Sequence, residues 1–348
     1  MTYSANQTIT NEQFNAFVGT NTVAAPNAAT AAGKIGYLWG IGYGDRGYGQ
    51  VDFPAGGLGP VENNSVIASW NNLTSTMSTM AVWQNIASSY SVPNTDSGQV
   101  VKAFPAGSPT SLVDFIEALD ANRLQTSFVN QTYVPNLDTT TRSTPWYSAI
   151  QCRFISSFSD ENAARYFFNT GGKIRIVLTH NPSGGGGAYG GYGGYGGYGG
   201  YGGFSSQQDL AWQDLLNTIN NIEIGAHTTG INGLTGDYDA TVMWNTGFYE
   251  LTESFQRIVL LKKASFVSSP YVSNFVEVYA RTIDGSGSIN GGNGTSIEFQ
   301  VVLTDSYTSY STDQVSAGTQ ASIGMVAPVN GFFQTPIEAP SCYVSQFF

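Results

Sequence analysis

The sequence predicts an α+β chain, mainly β. A small helical N-terminal region is followed by an antiparallel β-sandwich with one inserted helix and a long Gly/Tyr loop. Three observations carry this. Tyr, Phe, Val and Thr suit a pleated, half-buried surface, and aromatics alone make up 13% of the 348 residues. Apolar residues recur at helical spacing before about residue 135 and again over 205–222, whereas elsewhere in the second half they alternate. Glycine, at 42 residues, breaks the chain into short elements.

The elements follow in order. Thr10 and Gln13 form a capping-box pattern before Phe14, Phe17 and Val18, which predicts a helix over 11–19 with Gly19 near its end. Residues 33–50, GKIGYLWGIGYGDRGYGQ, hold glycine too often for a regular helix and read as a loop with packed aromatics. Val66, Ile67, Trp70, Leu73, Met77, Met80 and Ala81 share one face of a second helix, whose run ends at Trp83. Leu112, Phe115, Ile116 and Leu119 stripe a third helix over 109–124. Residues 1–135 therefore read as a helical docking region. The polar, Thr-rich 135–145 reads as a domain boundary.

Beyond it, 146–348 reads as the sandwich. YSAIQCRFISSF (147–158), KIRIVLTH (173–180), FVEVYART (275–282) and SIEFQVVLTD (296–305) alternate as strands, and 321–329 is a weaker one. The glycine-rich 284–295 connects two of them as a hairpin. Leu210, Leu215, Ile219 and Ile222 line the inserted helix over 205–222, capped by Ser205 or Ser206.

Residues 183–204 form the inserted loop. Within it Tyr189, Tyr192, Tyr195, Tyr198, Tyr201 and Phe204 are three apart, with only glycine between. Polyproline II has three residues per turn, so that conformation places all six rings on one side, roughly 9 Å apart. A strand would alternate them and an α-helix would spiral them. Two readings follow: a Gly-rich loop lying loosely over the surface, or a contact stripe. Such a stripe would meet other copies or a host receptor or glycan, because Tyr gives large contact area at low entropy cost.

Composition excludes several classes. The net charge is −11 with 13 scattered basic residues, which speaks against nucleic-acid binding and anionic membranes. No run approaches the ~18 apolar residues of a membrane helix, and the start lacks a signal-peptide pattern, which implies synthesis in a cytoplasm. Cys152 and Cys342 are too few for a zinc site or a disulfide framework; they read as buried thiols unless the C-terminus folds back to pair them.

Sequences that mimic chemistry are set aside. Neither His180 nor His227 belongs to a recognisable catalytic motif. Asp114, Glu117 and Asp120 read as a solvated helix face. Asp284 and Asn293 lack the acidic positions of a calcium loop. The glycines 42, 44, 47 and 49 follow no strand of a βαβ unit, so they are no dinucleotide loop. The Asn-x-Thr/Ser triplets at Asn6, Asn63, Asn72, Asn130 and Asn293 are chance in an Asn- and Thr-rich chain. No cofactor and no metal is expected.

TITNEQFN (8–15), GYGDRGYGQ (42–50) and VIASWNNL (66–73) resemble a pattern in virion structural proteins of tailed phages, of the marine, cyanophage-like myovirus type. There a short helix leads to a Gly-x-Gly-x-x-Gly-Tyr-Gly-Gln loop and then a Trp-Asn helix. FSDENAARYFFNTGGKIRI (158–176) looks like a further stretch of those proteins, a turn that enters a strand. Together these are spread over residues 8–176, about half the chain. It departs from the pattern in a shorter second helix before Trp70 and in the Tyr-Gly-Gly insert. The motif residues carried over are Gly42, Gly44, Gly47, Tyr48, Gly49, Gln50, Trp70, Asn71, Arg165, Tyr166, Phe167, Phe168, Asn169, Gly171 and Gly172.

The resemblance implies a non-enzymatic virion component, tail- or neck-associated. It would bind its own copies and other virion proteins, without nucleic-acid binding or membrane insertion, and localise to a virion made in the host cytoplasm. The alternatives are a tail fibre or adhesin with the Tyr stripe at the contact, a head decoration protein, and a glycan-cleaving enzyme, which would need two carboxylates roughly 5–9 Å apart. From the residues alone, Ala163–Phe168 reads as one helical turn, Asn169, Gly171 and Gly172 as a chain reversal at positive φ, and Tyr166, Phe167 and Phe168 as core or subunit interface.

Overall fold

The computed structural model describes residues 18, 34–40, 47–50, 66–87, 89–90, 112–125, 131–182, 207–226, 229–232, 238–242, 248, 251–263, 273–283, 294–306, 314–328 and 337–348. The chain divides into two compact units. The first holds Met1–Thr132, Ser159–Gly172 and Val326–Ala339; the second holds Tyr133–Phe158, Lys173–Met325 and Pro340–Phe348.

The first unit is helical. α1 spans Lys34–Trp39, α2 Val66–Trp83, α3 Leu112–Ala121 and α4 Glu161–Asn169. Its core collects Leu38 and Trp39 of α1, Trp70, Leu73, Met77, Met80 and Trp83 of α2, and Phe115, Ile116 and Leu119 of α3. These are the stripes read from the sequence for the second and third helices. α1 was not expected: its Gly36 is accommodated because Ile35, Leu38 and Trp39 are fully buried, and that burial outweighs the ~1 kcal/mol helix penalty of one glycine. On α3, Glu117 is exposed, Asp114 is half-buried and Asp120 pairs with Arg123 at 3.2 Å. The first helix expected, over 11–19, lies outside the described residues apart from Val18, which is helical and buried.

The second unit is a mainly β sandwich of two antiparallel sheets. β1 spans Gln131–Thr141, β2 Ala149–Ser157, β3 Lys173–His180, β4 Asn221–Ile224, β5 Thr229–Asn232 and β6 Tyr238–Val242. β7 spans Gln256–Lys263, β8 Phe275–Ile283, β9 Ser296–Thr304, β10 Thr319–Pro328 and β11 Ser341–Val344. One sheet runs β1-β10-β3-β4-β5, the other β11-β2-β9-β8-β7-β6. The helix α5, Gln207–Ile219, packs on β3 and touches β7.

Alternation builds this core. β3 buries Ile174, Ile176, Leu178 and His180 on one face. Across the other sheet Cys152 lies opposite Val301, and Val301 opposite Val278; Phe154 and Ala280 flank Phe299 in the same way. On the outer face Glu298 of β9 sits between Arg281 at 2.5 Å and Arg153 at 3.4 Å, and Gln300 bonds Gln151. The β8–β9 antiparallel pair joins the strands expected on either side of 284–295, while that connection itself lies outside the described residues.

Two details go beyond the sequence reading. The boundary expected at 135–145 lies within a strand for most of its length: 131–141 form β1, at one end of the first sheet's order, and the two units part at Thr132/Tyr133. Pro135 is tolerated because an edge strand can lack a donor on one side. β1 crosses so close to β10 that a Cβ on Gly324 would stand 2.7 Å from Val134 O. Second, Ser159–Gly172 clusters with the helical unit although strands of the sandwich flank it in sequence.

Candidate functional site

The motif residues that are described come together in the first unit. Tyr48 N–H donates to Leu38 O (3.0 Å), Gly49 N–H to Gly40 O (2.7 Å) and Gln50 N–H to Trp39 O (3.0 Å), so Tyr48–Gln50 caps the end of α1. Tyr48 is fully buried. Its hydroxyl donates to Arg123 O (3.0 Å) and accepts from Gln84 Nε2 (2.7 Å), and burial pushes its pKa well above the ordinary tyrosine value. Asp160 caps α4 through Oδ1 to Ala163 N–H at 2.9 Å, so the helix is longer than the single turn expected. Phe167 and Phe168 are fully buried with rings 5.2 Å apart, edge to face.

The two motifs meet at Asn169, whose Nδ2 donates to Gly47 O at 2.7 Å, 122 residues away. Gly49, at φ 69°, lies against the Tyr166 ring, where a Cβ would overlap ring carbons. The chain then reverses at Gly171, φ 91°, and Gly172 N–H bonds Phe167 O at 2.8 Å. Positive φ is needed at Gly171, not at Asn169 or Gly172. Gly172 is required by space instead: a Cβ would stand 2.5 Å from Phe167 O. Gln131 Nε2 closes the turn on Gly171 O at 2.6 Å. Arg165 reaches Asn162 at 3.3 Å and Glu161 at 3.7 Å, Trp70 is in the helical core, and Asn71 O accepts from Thr74 Oγ1 at 3.0 Å. Gly42, Gly44, Tyr189, Tyr192, Tyr195, Tyr198, Tyr201 and Phe204 lie outside the described residues. The site is a glycine–aromatic junction that fixes the helical unit.

The sandwich holds a second cluster that sequence reasoning missed. Trp146 Nε1–H donates to Thr319 Oγ1 (3.1 Å), Thr319 Oγ1 meets His180 Nδ1 (3.1 Å), and His180 Nε2 meets Asp209 Oδ1 (3.0 Å). Ser316 gives both its N–H and its hydroxyl to Asp209, each at 2.7 Å. A carboxylate only accepts, so Nε2 carries a proton; Nδ1 then accepts from Thr319, whose oxygen accepts from the indole. The order hydroxyl–imidazole–carboxylate matches a nucleophilic triad. A nucleophile must reach its substrate, however, and Thr319 is 0% exposed and His180 1%. The chain pins β3, α5 and β10 together instead. The His180–Asp209 bond also joins β3 to α5, the two described elements that flank the Tyr/Gly segment in sequence.

Cys152 and Cys342 are both free thiols. Cys342 pairs in register with Ser156, four residues along β2 from Cys152, and its Sγ lies 3.2 Å from Ser156 Oγ. Burial pushes Cys152 up to about 12 and raises Cys342 too. The thiolate is the nucleophile, so Cys152 should resist a maleimide at pH 8 in the folded protein while the half-exposed Cys342 reacts first. Mass spectrometry of the labelled peptides checks this; equal labelling of both would contradict the burial of Cys152.

Compared with known protein families, curated proteins and solved structures, the chain matches none. Fold and junction define a class: a mainly β sandwich protein joined to a helical unit that is locked by a glycine–aromatic junction. No helix among the described residues is long and apolar enough to cross a membrane.

Proposed function

We propose that the chain is a non-enzymatic structural component of a tailed-phage virion, tail- or neck-associated, that assembles through contacts with its own copies and with other virion proteins. The observation behind this reading is the junction itself. The two stretches most distinctive in the resemblance, Gly47–Gln50 and Arg165–Gly172, pack on each other through Asn169 and Gly49. They therefore behave as fold-defining residues, which is what a shared assembly domain requires and what a ligand site does not. Low charge and a composition rich in Asn, Thr and Gly agree with it. The test is mass spectrometry of density-purified phage particles from the encoding source. The chain should co-purify with the particles at a copy number fixed relative to the major capsid and tail proteins. Its recovery only from the unassembled fraction would end the proposal.

One observation favours the host-binding alternative as a second reading. His180 and Asp209, which bracket the Tyr/Gly segment in sequence, are joined in a fully buried pin, so both of its flanks are anchored on a rigid scaffold. Under it, particles lacking 184–203 assemble but adsorb poorly; under the structural reading, whatever particles form still adsorb normally.

A further inference from the structure

We infer that β1 is the surface through which two copies of this chain pair, edge to edge and antiparallel, about a two-fold axis at Thr140. β1 ends the order of the first sheet, with β10 on one side and no strand described on the other. It is 11 residues long and buries none of them. An edge strand with no described neighbour on one side is a template for another strand. Three of the seven exposed large hydrophobics among the described residues lie in or just past β1, Tyr133 (42%), Leu137 (38%) and Tyr147 (64%), and two more, Tyr343 and Phe348, lie in β11 and its tail. The tail is tied to β1 by Val344 N–H on Asp138 Oδ2 (2.8 Å) and by Arg142 Nη1 on Phe347 O (3.3 Å).

The occupant is fixed by complementarity. Residues 133–147 read YVPNLDTTTRSTPWY, in which three of the seven pairs about Thr140 are identical and a fourth sets Asp against Arg. Antiparallel pairing of this segment with itself about that residue puts Asp138 opposite Arg142 of the second copy, twice. It also puts Thr139 opposite Thr141 and Tyr133 opposite Tyr147, while Pro135 and Pro145, which have no N–H to give, end the bonded stretch on either side. Opposite charges and aromatic pairs facing across strands are favourable, and any other centre loses them. The backbone agrees. Arg142 turns both its backbone groups to the start of β10 and the residue before it: its N–H donates to Thr319 O and its C=O accepts from Gly318 N–H. By alternation the even positions face β10 and the odd ones, Leu137, Thr139, Thr141 and Ser143, face outward. Thr139 N–H is accordingly met by its neighbour's Asp138 Oδ1 (2.8 Å) rather than by a strand. A centre at residue 140 pairs odd with odd, so the outward groups of both copies bond each other, while the carboxylate moves to Arg142 of the second copy.

The inference rests on the self-association named in the proposed function, but the two fail separately: particle content tests the function, and the mass of the purified chain tests the pairing. Light scattering on the wild-type chain should give a dimer. Thr141→Pro deletes an outward N–H and no donor that faces β10. It should weaken the dimer at least about tenfold while leaving circular dichroism unchanged. Thr141→Val loses the same hydroxyl, which accepts from Gln320 Nε2 at 3.3 Å, but keeps the N–H, and should stay dimeric. Thr140→Cys faces itself across a non-hydrogen-bonded pair at about 4.5 Å between Cα atoms, within disulfide range, and should cross-link on mild oxidation faster than wild type. A monomeric wild type, a dimeric Thr141→Pro, or a Thr140→Cys chain that fails to cross-link would each overturn the pairing.

Discussion

Gly49→Ala is expected to destabilise the helical unit by about 3 kcal/mol. Two costs add. The residue sits at φ 69°, where an L side chain costs about 1 kcal/mol or more. The new Cβ also falls on the ring of Tyr166, and overpacking of that kind costs about 1–3 kcal/mol. The ring cannot easily retreat, because α4 is fixed by Phe167 and Phe168 in the core and by Asn169 on Gly47 O. A double-mutant cycle separates the two costs. Tyr166→Ala removes the obstacle and leaves the dihedral strain, so the cycle should show a favourable coupling of about 1–2 kcal/mol between the substitutions. Denaturant unfolding followed by tryptophan fluorescence reads it, since Trp39, Trp70 and Trp83 all report from this core. Additive effects would mean that the ring and the glycine do not compete for the same space. Gly171→Ala, strained by its φ of 91° alone, is a useful scale for the backbone part.

The same junction shows what the sequence could and could not disclose. β3 and β8 were legible because their buried and half-exposed residues alternate without a break. α2 and α3 were legible because their buried residues recur at helical spacing. β1 was not, because YVPNLDTTT buries nothing and therefore carries no apolar alternation. β4, Asn221–Ile224, is buried on both faces and only four residues long, too short to show a period. β7 reads QRIVLLKK, a continuous apolar run that a buried strand and a buried helix share. For the site, the glycines and aromatics were visible as composition. Their meeting was not, since Asn169 and Gly47 lie 122 residues apart and nothing local encodes the approach. His180 did leave a signal: it continues the inward parity of Ile174, Ile176 and Leu178, which predicts a buried imidazole in need of partners. Asp209, one turn into an expected helix, could not be picked out as that partner from spacing alone.

Asp209→Ala should then cost the sandwich about 3–5 kcal/mol. The carboxylate collects three donors, His180 Nε2–H, Ser316 N–H and the Ser316 hydroxyl. His180 is buried beyond the reach of water, so deletion strands a donor that cannot be solvated where it stands, and removing one partner of a buried charged set costs that much. The effect should spread. With Asp209 gone the imidazole no longer has its tautomer fixed, and the chain from His180 through Thr319 to the Trp146 indole loses its direction. Asp209→Asn keeps one acceptor oxygen but turns an amino group toward a donor, and should cost roughly half as much. The Trp146 indole proton is the local reporter. In the folded Asp209→Asn protein it should keep the slow solvent exchange of a bonded, buried N–H, whereas in Asp209→Ala it should exchange faster than global unfolding allows. If Asp209→Ala costs less than about 1 kcal/mol and leaves that exchange slow, the network is incidental to the sandwich. The order of the three groups would then need another explanation than a pin between β3, α5 and β10.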